Sequence, residues 1–394
     1  MFRPRTVLSF ISPSGLFFMT IEQIEQTFRE WLHIEDTTAL RIVLATVIIN
    51  MCPTDPLWLF IIAPPSSLKT EILNSLRDIE KIYPLSSFTP RTLLSGFGSQ
   101  DNVKDSLLFK LTGKIVTLKD FTTVISMRQE DKAEILSQLR EVYDGYYVRA
   151  VGTNKVLVWE GKVGFIGAVT PIIDSHYAIY QALGERFIQY RLPPQDGVEA
   201  SMMAMSNTGK ENEMRSYLRK QIKTFIMELA GKEIDPDVII SRDYRLKLAH
   251  LASFCVKARS GVVRDKTSKE ILYAPEPEAP PRFAKQLQLL SLGLTLVNKK
   301  ETFGEDEYAI VFRVAMDSLQ KNRIKIVRLL KDSSTMLPTP QIALGAKMPS
   351  TTTLRQLEDL YALGLVEKSE SPLAWELSAE SKKLLLYSIP LKYI

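Results

Sequence analysis

This 394-residue chain offers very little from which to build a disulfide framework or a metal cluster. Its two cysteines, Cys52 and Cys255, lie far apart, and His33, His176 and His250 are equally isolated. Zinc sites, disulfide scaffolds and Cys–His nucleophiles are thereby set aside, and so few thiols fit a reducing cytosol. There is no run of about 18 uncharged apolar residues, so no segment reads as membrane-spanning. The net charge of +5 permits nucleic-acid contact without demanding it. The remaining composition is that of a soluble globular protein with room for two or three domains. Residues 1–18 stand apart: Arg3 and Arg5 precede an apolar stretch broken by Pro13 and Gly15, with no cleavage pattern behind it. Thr20 then reads as a helix cap, with Glu22 and Gln23 in the first turn. Residues 1–19 are expected to be an extraneous or disordered N-terminus, and Met19 a plausible start.

What is present centres on Ile61-Ile62-Ala63-Pro64-Pro65-Ser66-Ser67-Leu68-Lys69-Thr70. A β-branched run enters a loop of small residues, Lys-Thr follows, and an apolar-periodic helix over 69–79 begins. This is the layout of a phosphate-binding loop, in which the Lys neutralises phosphates and the Thr hydroxyl ligands Mg²⁺. Ala63 and Leu68 stand where such loops carry glycine, and both resist the positive φ that glycine accepts. An ordinary strand–turn–helix with a Lys-Thr pair is the competing reading.

Periodicity places helices at Ile21–Leu32 and Thr37–Met51, then a strand at 57–62. A second strand is Lys114–Leu118, followed by a helix Asp131–Tyr143. The period becomes two from Tyr146 to Trp159, with Gly152 to Lys155 as a hairpin turn, and Val163–Ala168 is a third buried strand. Such alternation predicts a three-layer α/β nucleotide-binding core. From Pro193-Pro194 to about 300 the pattern is helical. Asp120 ends the second strand, where an ATPase holds Mg²⁺ or polarises water, although Lys119 replaces the usual acidic neighbour. Thr170 ends the third strand and is positioned to orient water. Arg186 lies in an apolar stretch, where a cation needs a carboxylate or an anion across an interface. Arg282 projects from a helix N-terminus that has Pro at its start.

Taken in order, these pieces resemble an AAA+ ATPase of the minichromosome-maintenance-like branch over roughly residues 20–300. The resemblance implies Lys69 and Thr70 as the Walker A pair, Asp120 as the Walker B position and Thr170 as sensor 1. It also implies Arg186, in Glu-Arg-Phe, as the arginine finger, and Arg282, in Pro-Arg-Phe-Ala-Lys-Gln-Leu, as sensor 2. The hairpin over 146–159 corresponds to the pre-sensor-1 hairpin, with Lys155 and Arg149 as tip residues facing DNA. The chain is also similar to prokaryotic and mobile-element ATPases that carry Lys-Asp-Phe-Thr in place of Asp-Glu. The expected cofactors are ATP and Mg²⁺, and the loop Ala63, Pro64, Pro65, Ser66, Ser67, Leu68, Lys69, Thr70 would cradle the nucleotide.

The expected domains are an AAA+ core over 20–195, a helical lid with sensor 2 over 196–300, and a winged-helix domain over 301–394. In the last, Thr351–Leu363 is capped by Ser350 and carries Arg355 toward DNA. Glu358 and Asp359 on the same helix would repel phosphate, and such domains also bind proteins. The expected partners are DNA, further copies in a hexamer-like ring, and other replication or mobile-element proteins. Three activities follow: a ring-forming DNA motor, a nucleotide-gated DNA-binding switch with little hydrolysis, or a scaffold with an inactive ATPase core.

Overall fold

The structure is a computed structural model that describes residues 19–93, 106–151, 155–175, 186–231, 234–265 and 267–391. The expectation for residues 1–18, the polar loop over 96–105 and the hairpin turn at 152–154 lie outside the described residues. Seven strands concern the core: β1 (Trp58–Ile62), β2 (Ile82–Leu85), β3 (Ile115–Leu118), β4 (Tyr146–Val151), β5 (Lys155–Glu160), β6 (Gly164–Val169) and β7 (Phe187–Arg191). Five of them form one parallel sheet in the order β2-β3-β6-β1-β7. The strand that ends in Thr170 is thus inserted between the strand of the phosphate loop and the strand that ends near Asp120.

Every residue of β1, β3 and β6 is buried, as expected of parallel strands covered on both faces. Alternation divides β1 between two cores. Leu59 and Ile61 face the helices Ile21–Trp31, Thr38–Met51 and Pro281–Val297. Trp58, Phe60 and Ile62 face an aromatic layer under the helix Gln129–Tyr143 and the β4–β5 hairpin. In that layer Phe60 stacks on Phe187 at 3.8 Å, and the Trp58 indole donates to Val163 O at 2.7 Å. This is the expected three-layer arrangement.

The helix Ile21–Trp31 begins at Thr20 with the predicted capping box to Gln23. Helix Pro281–Val297 approaches helix Thr38–Met51 closely at Gly293, where a Cβ would lie 2.6 Å from Ala45 O.

The boundary expected at residue 300 has no counterpart in packing. Helix Glu305–Asp317 lies on the edge strand β7 and its C-terminal end accepts from it: Gln189 N–H donates to Ser318 Oγ at 3.0 Å and Arg191 N–H to Asp317 at 3.0 Å. Edge strands expose such groups unless they are covered, so this helix belongs to the core body. The helices Lys321–Lys331, Thr339–Ala346 and Ser350–Ala362 follow. A small sheet packs with them, in which Leu373–Leu377 lies between Leu337–Pro338 and Val366–Glu370. Pro349, not Ser350, occupies the cap position of the helix Ser350–Ala362.

Candidate nucleotide site

The carboxyl ends of three adjacent strands are joined by backbone hydrogen bonds. Ala63 N–H donates to Val169 O at 3.1 Å, and Phe121 N–H donates to Ala168 O at 2.7 Å. Consecutive carbonyls of β6 therefore hold the phosphate loop on one side and the Asp120 turn on the other. Lys69, Asp120 and Thr170 converge because β6 is the strand between them.

The loop turns at Ser66, whose φ of 58° puts a non-glycine residue in the left-handed region. That conformation costs roughly 1–2 kcal/mol for a residue with a Cβ. Leu68 is right-handed at φ −59°, so the restriction expected at Ala63 and Leu68 is avoided by moving the turn to Ser66. Pro64, Pro65 and Ser66 are exposed, as is Thr70. The following helix is Lys69–Ser75, shorter than the expected 69–79. The charge of Lys69 is therefore the main thing the loop offers an anion.

Lys69 is buried, and its ammonium donates to Ala63 O, to Pro64 O at 3.1 Å and to Val169 O at 3.3 Å. Burial lowers its pKa, and the nearby Asp120 carboxylate opposes the shift. An incoming phosphate must therefore draw the ammonium away from three carbonyls. Ser67 Oγ is buried within the loop without a hydrogen-bond partner, a vacancy that a phosphate oxygen would fill.

Asp120 is exposed and accepts from Thr122 N–H at 2.9 Å. The Thr122 hydroxyl donates to Thr170 Oγ1 at 3.2 Å and accepts from Thr170 N–H at 3.1 Å. Thr122 thus ties the two strand tips together, a role that the Lys-Asp-Phe-Thr string carried unremarked. Glu71, two residues after Lys69, makes a bidentate pair with Arg215, with its shortest contact at 2.8 Å. That pair docks helix Glu211–Leu229 beside the loop. Exposed carboxylate and hydroxyl oxygens at Asp120 and Thr70 are the hard donors magnesium takes, and with the Ser67 vacancy they fit a magnesium nucleotide.

Arg186 and Arg282 are elsewhere. Both lie at the amino end of the sheet, and β1 alone separates the two ends by roughly 16 Å at about 3.3 Å per residue. Arg186 is buried and pairs with Asp144 at 2.6 Å, its guanidinium 5.6 Å from the Tyr143 ring. Gln286 donates both to Arg186 O, at 2.7 Å, and to the Tyr143 hydroxyl. Arg282 pairs with Glu278 at 3.1 Å and lines a cavity of about 460 Å³ with Asp144, Lys162 and Lys285. Burial brings the Lys162 pKa down to about 8. Neither arginine can reach the loop of its own chain.

The hairpin buries Tyr147, Leu157 and Trp159 on one face and exposes Tyr146, Val148, Val156 and Val158 on the other. Arg149 is exposed, and the Lys155 side chain lies outside the described residues. Arg355 is exposed on its helix. The repulsion expected from Glu358 and Asp359 is largely cancelled, because Arg264 pairs with both, at 3.0 and 2.8 Å, and Arg323 lies 3.5 Å from Asp359.

The arrangement defines a parallel α/β core with a phosphate-loop-like turn at its carboxyl edge. No protein-family model matches the chain, and no curated protein does. Among solved structures it is similar to a protein from Cytophaga hutchinsonii named provisionally as an ATPase, at 13% identity, with 77% of this chain and 86% of that chain covered and a TM-score of 0.44. A likeness that distant does not bear on function. No group of three or more His, Cys, Asp or Glu side chains gathers as a metal cluster among the described residues, and no described helix is long and apolar enough to cross a membrane.

Proposed function

We propose that this protein is an ATP-binding ATPase of the AAA+ kind, in the minichromosome-maintenance-like branch, whose catalytic site is completed by a second copy. The observation that carries this reading is the division of the sheet: Lys69, Asp120 and Thr170 converge at its carboxyl edge, and Arg186 and Arg282 cluster at its amino edge. In a ring the amino edge of one copy would face the carboxyl edge of the next. Lys69 and the loop amides would bind the phosphates, and Thr70 and Asp120 would hold magnesium. Magnesium, when bound, would neutralise phosphate charge. Asp120 would also draw a proton from water held by Thr170, itself fixed by Thr122. The neighbour's Arg186, freed from Asp144, would stabilise charge developing in the transition state, a contribution worth ~10³ or more in rate.

The three helices and small sheet at the C-terminus have the makings of a winged helix, and its neutralised Glu358 and Asp359 leave Arg355 able to approach DNA. The hairpin, with Arg149 and Lys155, would be the second DNA contact. A switch with little hydrolysis is the second reading, favoured by two observations: Lys69 is satisfied by carbonyls, and Asp120 alone serves where two carboxylates are usual.

The test is ATP turnover with and without single- and double-stranded DNA, beside Lys69→Ala and Arg186→Ala. A DNA motor shows DNA-stimulated turnover that each variant alone abolishes and that a mixture of the two partly restores. Lys69-dependent ATP binding without turnover supports the switch. Absence of ATP binding by the unaltered protein overturns both.

A further inference from the structure

A cavity of about 870 Å³ opens beside the phosphate loop, between Ala63–Pro64 and the helix Lys321–Lys331. That volume suits a ligand the size of a nucleotide. Lys321, Lys325 and Arg328 all line it, and their spacing (i, i+4, i+7) puts them on one face of that helix. None of the three makes an ion pair or side-chain hydrogen bond with another described residue.

The other charged groups facing the cavity are already engaged. Arg191 is clamped on Asp174 by two bonds of 2.8 Å, Arg313 on Asp36 at 2.6 Å, and Asp332 lies 3.2 Å from Lys331. Asp317 is buried against the Arg191 amide, and burial pushes its carboxyl up to about 6, so near neutral pH it is still mostly ionised and offsets part of the positive charge, Arg328 being among the cations that act on it. With Asp317 counted against Lys321, Lys325 and Arg328, the cavity carries a surplus of about two positive charges. Its remaining walls are apolar, with Leu192, Phe312 and Met316 among them. A ligand that matches has a flat apolar body and an anionic group, and Ala63 and Pro64 at the start of the loop form part of one wall.

We infer that helix Lys321–Lys331 is the second wall of the nucleotide site, with Lys325 and Arg328 contacting nucleotide phosphates and Leu192, Phe312 and Met316 receiving the base. This rests on the ATP-binding reading above and adds a consequence to it. The same helix opens the C-terminal unit, so nucleotide occupancy would set the position of that unit relative to the core. Loop and helix are then two halves of one site, joined through the ligand.

The experiment is calorimetric titration of Mg-ATP into the full-length protein, into Lys69→Ala, and into the double variant Lys325→Ala/Arg328→Ala. A 12-nucleotide single-stranded DNA is titrated in parallel. Thermal melts confirm that each variant is folded, and Lys325→Arg/Arg328→Lys serves as the charge-conserving control. The inference expects the double alanine variant to lose at least tenfold in ATP affinity, with DNA affinity unchanged and the control near the unaltered protein. ATP should also protect Lys325 from acetylation in the unaltered protein and not in Lys69→Ala.

ATP affinity within twofold in the double variant, while Lys69→Ala abolishes binding, overturns this inference and leaves the ATP-binding reading standing. Loss of DNA binding with ATP binding intact also overturns it and assigns the basic face to nucleic acid. Failure of the unaltered protein to bind ATP removes both, and is recognised because no variant is involved.

Discussion

The two ends of the central sheet hold their charges in opposite ways. At the carboxyl end Lys69 is surrounded by carbonyl oxygens, Asp120 is exposed, and an ion pair beside the loop, Glu71 with Arg215, serves to dock a helix. At the amino end each arginine already has a carboxylate, Arg186 with Asp144 and Arg282 with Glu278. The Arg186 side chain is only 8% exposed and its partner is 51% exposed. A cation covered in this way is held by its own chain until something better replaces the carboxylate. The carboxyl end thus presents a cation held only by carbonyls, and the amino end presents cations already held by carboxylates.

The largest effect that would test this contrast is on nucleotide affinity. Lys69→Ala should weaken Mg-ATP binding by about 100-fold or more, whereas Arg186→Ala should leave the binding of a dilute, unassembled protein within about threefold. Calorimetry decides the matter, and an equal loss in both variants would mean that the two ends are not separate. Next is Gly293→Val, which forces side-chain atoms against Ala45 O and Ile49. Overpacking of this kind costs roughly 2–3 kcal/mol and should lower the denaturant midpoint. Because Gly293 seats the helix whose first turn carries Arg282, the amino end should be disturbed more than the loop.

A pH effect comes third. Asp317 has its folded pKa raised by burial to about 6, above the unfolded value of 3.8, so its contribution to stability is full below about pH 4. It is lost as pH rises through about 6, by roughly 2 kcal/mol. Urea unfolding at pH 4.5 and 7.5 should show that loss in the unaltered protein and a smaller one in Asp317→Asn; equal slopes would sink the assignment. The smallest expected effect is that of Ser318→Ala. It removes the hydroxyl that accepts from the Gln189 amide and should cost about 1 kcal/mol in the same assay.

Much of the strand–turn–helix that carries Lys69 was legible because its information is local. A buried strand, a turn and a helix start within fifteen residues announce themselves by periodicity and residue type, and Thr20 with Gln23 announced a capping box in the same way. The turn at Ser66 was not legible, since a left-handed serine leaves no signature in composition. Thr122 was hidden because its role depends on Thr170, 48 residues away, arriving at its side. The helix Glu305–Asp317 looked like the start of a separate unit because its amphipathic pattern is silent about what it covers. Asp317 and Ser318 prove to be the cap of the edge strand β7.

The chain by itself determined the alternating strands and helices, the place of Lys69 at a strand-to-helix turn and the acidic end of the next buried strand. Each of these rests on neighbours within one or two turns of the backbone. Strand order and direction are set by pairing between distant segments, and only the tertiary structure decided them. The insertion of β6 between β1 and β3 brings Lys69, Asp120 and Thr170 to one edge. The parallel run of β7 carries Arg186 to the other, a full strand length from the phosphate loop.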